Sequence, residues 1–374
     1  MSHSYPPGLR VTDHARQRRE RRLPLRGEVL VQVGSVVAPD TVVARTELPG
    51  NVQTVNLAGQ LGIDPRKVGD SLLSPVGTVV RKGETIARAS TMFGLLTNGV
   101  DAPADGVIES VSPVTGQLIL REPPIPVEVN AYVAGVVAEV LPGEGVVVEA
   151  EGAFLQGIFG VGGETFGPLE CVVAGPDEEL RPSDLRAEHR GRVVVGGAWV
   201  SHDTLLRARE VGVAAVVVGG FDDADLRRLL GHDLGVAITG SEEIGLTLVI
   251  TEGFGRIPMA ARTWQLLERR GGEVASVSGA TQIRAGVMRP EIVVPRADGA
   301  ASAGVAAESG GLEVGSLVRV IRAPHFGRIG RVVELPAALQ ALETEARVRV
   351  LVVAFADGGG SAVVPRANVE RIAP

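Results

Sequence analysis

Residues 102–111 read Ala-Pro-Ala-Asp-Gly106-Val-Ile-Glu-Ser-Val111, and 29 residues later 131–140 read Ala-Tyr-Val-Ala-Gly135-Val-Val-Ala-Glu-Val140. Ala, Gly and Val recur at matching offsets, the mark of an internal repeat. The repeat predicts two superposable half-units in one small barrel. Ahead of it, Pro75-Val-Gly77-Thr-Val-Val80-Arg-Lys82-Gly83-Glu-Thr-Ile86-Ala87 has the texture of strand, tight turn and strand. The same texture begins at Gly27: Val29, Val31 and Val33 alternate with Leu30 and Gln32, then come Gly34, Val36-Val37, Pro39-Asp40 and Val42-Val43-Ala44. β-branched residues between turn-forming Gly, Pro and Asp read as short strands.

Composition agrees. Aromatics are 3% of the 374 residues and Gly numbers 49, so Val, Leu, Ile and Ala must fill the interior and helices should be the minority. The length suits two or three domains. The formal charge of −7 disfavours a general polyanion binder, but it is unevenly spread. Residues 1–26 hold seven Arg against Asp13 and Glu20, a balance of +5, and residues 312–374 are +2. The rest of the chain is therefore −14, an acidic body between a basic arm and a basic tail. The arm, with Arg18, Arg19, Arg21 and Arg22 at its centre, is expected to be disordered.

The strings at 75–87 and 102–111 resemble the barrel-sandwich hybrid of lipoyl- and biotinyl-like domains, over roughly 27–170. In that family a Val-x-Lys-Gly hairpin precedes a Pro-x-x-Gly strand. The resemblance implies the fold and not the swinging arm. Between Ala87 and Gly106 there is no lysine to carry a prosthetic group, and Lys82 lies in the preceding hairpin. No cofactor is expected.

Residues 171–298 read as an α/β domain. Arg192-Val-Val-Val195 and Ala215-Val-Val-Val218 are buried strands by their β-branching. A helix capped by Ser201 or Asp203 and ended by Gly212 follows the first, and one opening at Asp222-Asp223 and ended by Gly231 follows the second. A third strand at Leu246-Thr-Leu-Val-Ile250 leads to a helix opening at Pro258 with Trp264 and Leu267 on one face. Such alternation implies a parallel sheet. The unit resembles the small swivelling β/α domains.

Residues 299–311 are a small-residue linker. Beyond it, Gly315-Ser-Leu-Val318-Arg-Val320-Ile-Arg322-Ala-Pro324-His325-Phe326-Gly327-Arg328-Ile-Gly330 resembles the KOW motif of transcription elongation factors and ribosomal proteins. The resemblance implies an SH3-like barrel over 312–374 that binds RNA, the ribosome or RNA polymerase through its loops. Arg322, His325, Phe326 and Arg328 would form that face, pairing charge with a stacking ring. The plainer reading has Phe326 plugging the barrel and the arginines solvated. Residues 336–346 enter as a helix-prone insert.

Catalytic chemistry is sparse. Thr251-Glu252-Gly253-Phe254-Gly255-Arg256-Ile257-Pro258 follows a strand, where a dinucleotide loop would sit. Pro258 removes a donor amide and Glu252 opposes phosphate, so a plain turn competes with a ligand loop at Gly253, Gly255 and Arg256. The six His show no ligand-spaced pair, His202 being placed at a helix cap, and Cys171 in an apolar context reads as a buried, inert thiol. No catalytic or metal-binding residue is assigned. No apolar run approaches the ~18 residues of a membrane helix, and the Arg-rich start is no secretory signal, so a cytoplasmic bacterial protein is expected.

The leading expectation is a non-enzymatic scaffold, multidomain and β-rich around a central α/β domain. Its C-terminal barrel and basic arm would engage nucleic acid or the transcription or translation apparatus. A ligand-responsive regulator and a docking subunit of an enzyme complex are the alternatives.

Overall fold

The computed structural model describes residues 9–91, 96–231, 242, 244–281, 288–296, 312–320, 324–325, 327–336, 339–341, 347–355 and 360–371. Its strands fall into several sheets and its helices are few and short, so the chain is β-rich with more than one core. Among the described residues, buried apolar side chains form four clusters: one central, one in each of two small β units, and one at the C-terminal end.

The central sheet runs, by residue range, in the order 159–161, 247–254, 215–221, 193–195, 164–171, 274–278, 291–295, 145–156, 135–141 and 36–37. Strands 164–171, 193–195, 215–221 and 247–254 are parallel, as the strand–helix alternation predicts. Ser201 caps the helix His202–Val211 by accepting from the Thr204 amide, and Gly212 and Gly231 close their helices in the left-handed conformation. The third helix starts at Ala261 rather than Pro258, because the preceding strand continues to Phe254.

Two corrections concern the N-terminal half. The arm is not a free tail: Val11–Arg22 is a strand paired antiparallel with Gly145–Gln156 over nearly its whole length. Nor does a boundary fall at residue 170. The strand Gly145–Gln156 pairs with Gly135–Leu141 along its first half and with Glu291–Pro295 along its second, so one ladder runs through both expected domains.

The repeat is larger than the sequence indicates, and its copies lie in two different units. In the first, Val36 and Val37 pair with Val136 and Gly135; in the second, Val79 and Val80 pair with Val107 and Gly106. The backbone bonds match one for one. Gly34 donates to Val137 (2.8 Å) as Gly77 does to Ile108 (2.7 Å), Leu30 to Val43 as Leu73 to Ile86 (both 2.9 Å), and Ala131 to Thr41 as Ala102 to Glu84 (both 2.8 Å). Gly34 and Gly77 share a left-handed backbone, with φ of 86° and 92°, open to glycine without strain. Even a register slip recurs: it falls between Val129 and Asn130 where 42–48 pairs with 125–130, and between Thr85 and Ala87 where 85–91 pairs with 96–101.

The copies are nested. In the inner unit the hairpin closes from Thr91 to Leu96. In the outer unit the equivalent hairpin ends at Leu48 and Ile125, and the whole inner unit, residues 51–121, is spliced in there. The neck is tight: a Cβ on Gly50 would lie 1.9 Å from the Glu122 carbonyl, and the Glu122 carboxylate accepts from Asn51 and Gln53 at 3.1 and 2.8 Å.

At the C-terminal end, strands 317–320, 329–334, 347–355, 361–365 and 369–371 form an antiparallel sheet. Residues 339–341, expected in a helix-prone insert, are a strand paired with Arg347–Phe355.

Candidate functional site

The two segments the sequence offers as sites meet each other. The β-branched run 247–251 forces a buried strand, and the strand carries on through Glu252, Gly253 and Phe254. Gly253 is thus a ladder residue rather than part of a phosphate loop. A Cβ on it would lie 2.3 Å from the Gly327 carbonyl, and a Cβ on Gly327 would lie 2.6 Å from the Phe254 ring. The C-terminal turn therefore rests directly on the end of the central sheet.

Beside this contact lies a line of buried charge. Glu252 accepts from the Ala260 amide (3.0 Å), standing in for the cap that Ala260 lacks, and from Arg319 (2.8 Å). Arg319 also donates to Glu370 (2.9 Å), which accepts from Arg289 (2.6 Å). Sequence reasoning missed Arg289, Arg319 and Glu370. Alternation signals that Arg319 faces away from Val318 and Val320, but only the second domain makes that outer face an interior.

Gly255 and Arg256 sit beyond the strand. The Arg256 guanidinium stacks 4.1 Å over the Trp199 ring and reaches Glu179 at 3.2 Å. The chain's own loops cover the carboxyl ends of the parallel strands, where such sheets usually bind ligands. Cβ atoms on Gly197, Gly219 and Gly220 would lie 2.4, 2.2 and 1.9 Å from the carbonyls of Glu178, Ile257 and Gly255.

On the C-terminal face, the Arg328 guanidinium lies 3.7 Å over the Phe355 ring, and the His325 ring is tilted against the same ring, with centroids 5.1 Å apart. Phe355, also missed, is the platform on which the two basic groups converge. Arg322 and Phe326 lie outside the described residues, as does the 299–311 linker.

The arginines of the first strand are engaged with acids from distant segments. Arg16 pairs with Glu149, and Arg18 reaches Glu139 at 3.3 Å. Arg19 grips Glu291 through two nitrogens (2.7 and 2.6 Å), and Arg21 grips Glu164 likewise (2.8 and 2.7 Å). Arg22 is held between Glu20 and Glu144. Arg19 also lies over Phe154, and Arg21 over Tyr132.

Among the described residues, no three His, Cys, Asp or Glu gather as a metal site would require. Burial, reinforced by Glu268 and Glu170, pushes the Cys171 thiol up to about 12. His202 sits beside Asp203 at the helix start, with 3.5 Å between Nδ1 and Oδ1. No described helix is long and apolar enough to cross a membrane.

No protein-family model matches this chain, and a search of curated proteins finds no relative.

Proposed function

We propose that the chain is a non-enzymatic scaffold that docks a protein partner on its two nested β units. One observation carries this reading: both units present the same cross-strand valine pair to solvent, in the same register. Val36 and Val136 are 83% and 43% exposed in the outer unit, and Val79 and Val107 are 72% and 37% exposed in the inner. Monomeric β proteins usually guard strand edges with charge, and repeated exposed apolar edges fit a partner. An open cleft of about 520 Å³ beside Leu73, Val76 and Pro113 extends the apolar surface of the inner unit. The forked pairs of Arg19 with Glu291 and Arg21 with Glu164 point the same way, since those two guanidiniums have little left for phosphate.

In finer terms, the nested units read as barrel-sandwich hybrids without a carrier lysine, and the C-terminal sheet as an SH3-like barrel of KOW type. Support for the latter comes from the last strands: 361–365 pairs with 347–355 and 369–371 with 317–320. A second reading, binding of RNA, ribosome or RNA polymerase, is favoured by the convergence of His325 and Arg328 on Phe355. A cytoplasmic setting suits either.

The test is affinity purification from the native host with the full chain and with Val36→Lys/Val79→Lys. A stoichiometric protein retained by the first and lost by the second is the expected result. Retention of nucleic acid alone, unaffected by the substitutions, overturns the docking reading in favour of the second.

A further inference from the structure

The C-terminal domain and the central sheet each close their own apolar core. Among the described residues, they are joined by a line of charge and, beside it, by the packing of Gly327 on the Phe254 ring. Four side chains alternate in sign across the joint: Arg289 from the central part, Glu370 and Arg319 from the C-terminal domain, and Glu252 from the central sheet. Their side-chain exposures are 10%, 1%, 1% and 7%. The cross-domain pairs are Arg289 with Glu370 (2.6 Å) and Arg319 with Glu252 (2.8 Å). The line carries no net charge, yet it is incompletely satisfied: among the described residues, Arg319 Nε and Arg289 Nη1 are buried without an acceptor.

Such a joint is specific without being strong. The attraction of a buried ion pair is largely offset by the dehydration of both partners, whereas removing one partner strands the other at high cost. Orphaned donors weaken the closed state further. When the domains part, all four charges and both orphan nitrogens regain water. Domains that keep separate cores and meet through charge can move relative to one another.

We propose that the C-terminal domain is a detachable module, held by a clasp of Arg319 on Glu252 and Arg289 on Glu370. When closed, it covers both the Gly253–Phe254 end of the central sheet and the turn carrying Gly327. The clasp is an internal competitor: any partner that takes either face must first open it. The inference rests on the joint alone and stands whether or not the docking reading above holds.

Pulsed electron–electron spin resonance on the full chain tests it, with labels at Arg207→Cys and Val363→Cys in a Cys171→Ala background. Both label positions are solvent-exposed. The unmodified joint should give one narrow distance at low salt and a growing second, longer population as KCl rises. Glu252→Gln should raise the open-to-closed ratio on the order of a hundredfold, because Arg319 loses its cross-domain acceptor. Gly327→Ala, which drives a methyl into Phe254 without touching the charges, should also open it. Loss of folding in either variant leaves the KCl titration of the parent to decide. A single narrow distance, unmoved by KCl and shared by every folded variant, overturns the proposal.

Discussion

Arg19 and Glu291 meet through two parallel hydrogen bonds of 2.7 and 2.6 Å, joining the first strand to the strand Glu291–Pro295. The side chains are 21% and 17% exposed, and the Tyr132 hydroxyl donates to the same carboxylate at 3.3 Å. Glu291→Ala would leave a guanidinium and a phenol without their acceptor in a half-buried site. The expected cost is about 2–4 kcal/mol. Arg19→Lys, which keeps the charge but loses the fork, should cost less. Urea unfolding measures both; a loss under about 0.5 kcal/mol for Glu291→Ala would show the pair to be ornamental.

Gly106 and Gly135 hold equivalent places in the nested units. Cβ atoms there would lie 2.3 Å from the Arg121 carbonyl and 2.2 Å from the Glu149 carbonyl. Alanine at either position should destabilise by roughly 2 kcal/mol or more, but in different places. Hydrogen exchange should rise in residues 79–121 for Gly106→Ala, and in 135–150 with its partner strands for Gly135→Ala. Identical exchange maps for the two variants would mean that the units are not separate cores.

Acid should loosen the start of the first strand. The hydrogen bond from Arg270, 2.6 Å from the carboxylate, holds Asp13 below the usual carboxylate value, against a smaller opposing effect of burial. A depressed folded pKa contributes stability that is present above the unfolded value of 3.8 and lost as pH falls through the folded one. Asp13 remains 56% exposed, so the effect should stay within about 1 kcal/mol. Asp13→Asn should abolish the loss of amide protection, relative to intrinsic exchange, at Val11–Ala15 between pH 5 and 2; an unchanged protection profile refutes the assignment.

Cys171 should behave as an unreactive thiol. With its pKa pushed up to about 12, chiefly by burial, the neutral form persists through ordinary pH. The thiolate at pH 8 is then about a thousandfold scarcer than for a free cysteine. Iodoacetamide should label it only after unfolding; rapid labelling of the native chain at pH 8 contradicts this.

The repeat at 102–111 and 131–140 was legible because its glycines answer a local need, the close passage of a neighbouring strand. The nesting was not, because a hairpin tip looks the same in sequence whether it returns after four residues or admits a whole unit. Charge counting misread the arm for a related reason. Arg16 to Arg22 form a basic run along the chain, but Glu149, Glu164 and Glu291, which neutralise them, arrive from far away. Gly253 and Gly255 have the spacing of a phosphate loop, yet Gly253 serves the approach of Gly327. Composition identifies where side chains must be absent, without saying what fills the space.

The neck at Gly50 and Glu122 fixes an order of events as the chain folds. Leu48 pairs with Ile125 only after the intervening residues have been gathered, and an unfolded loop of that length opposes the pairing through its closure entropy. Once the inner unit is folded, its ends stand side by side and the loop is effectively short. On the ribosome, the strand 42–48 is made early, but its partner 125–130 reaches it only after the inner unit has closed behind it. The outer unit is thus kinetically subordinate to its own insert, and slow inner folding would leave one edge of 42–48 open until 125–130 arrives.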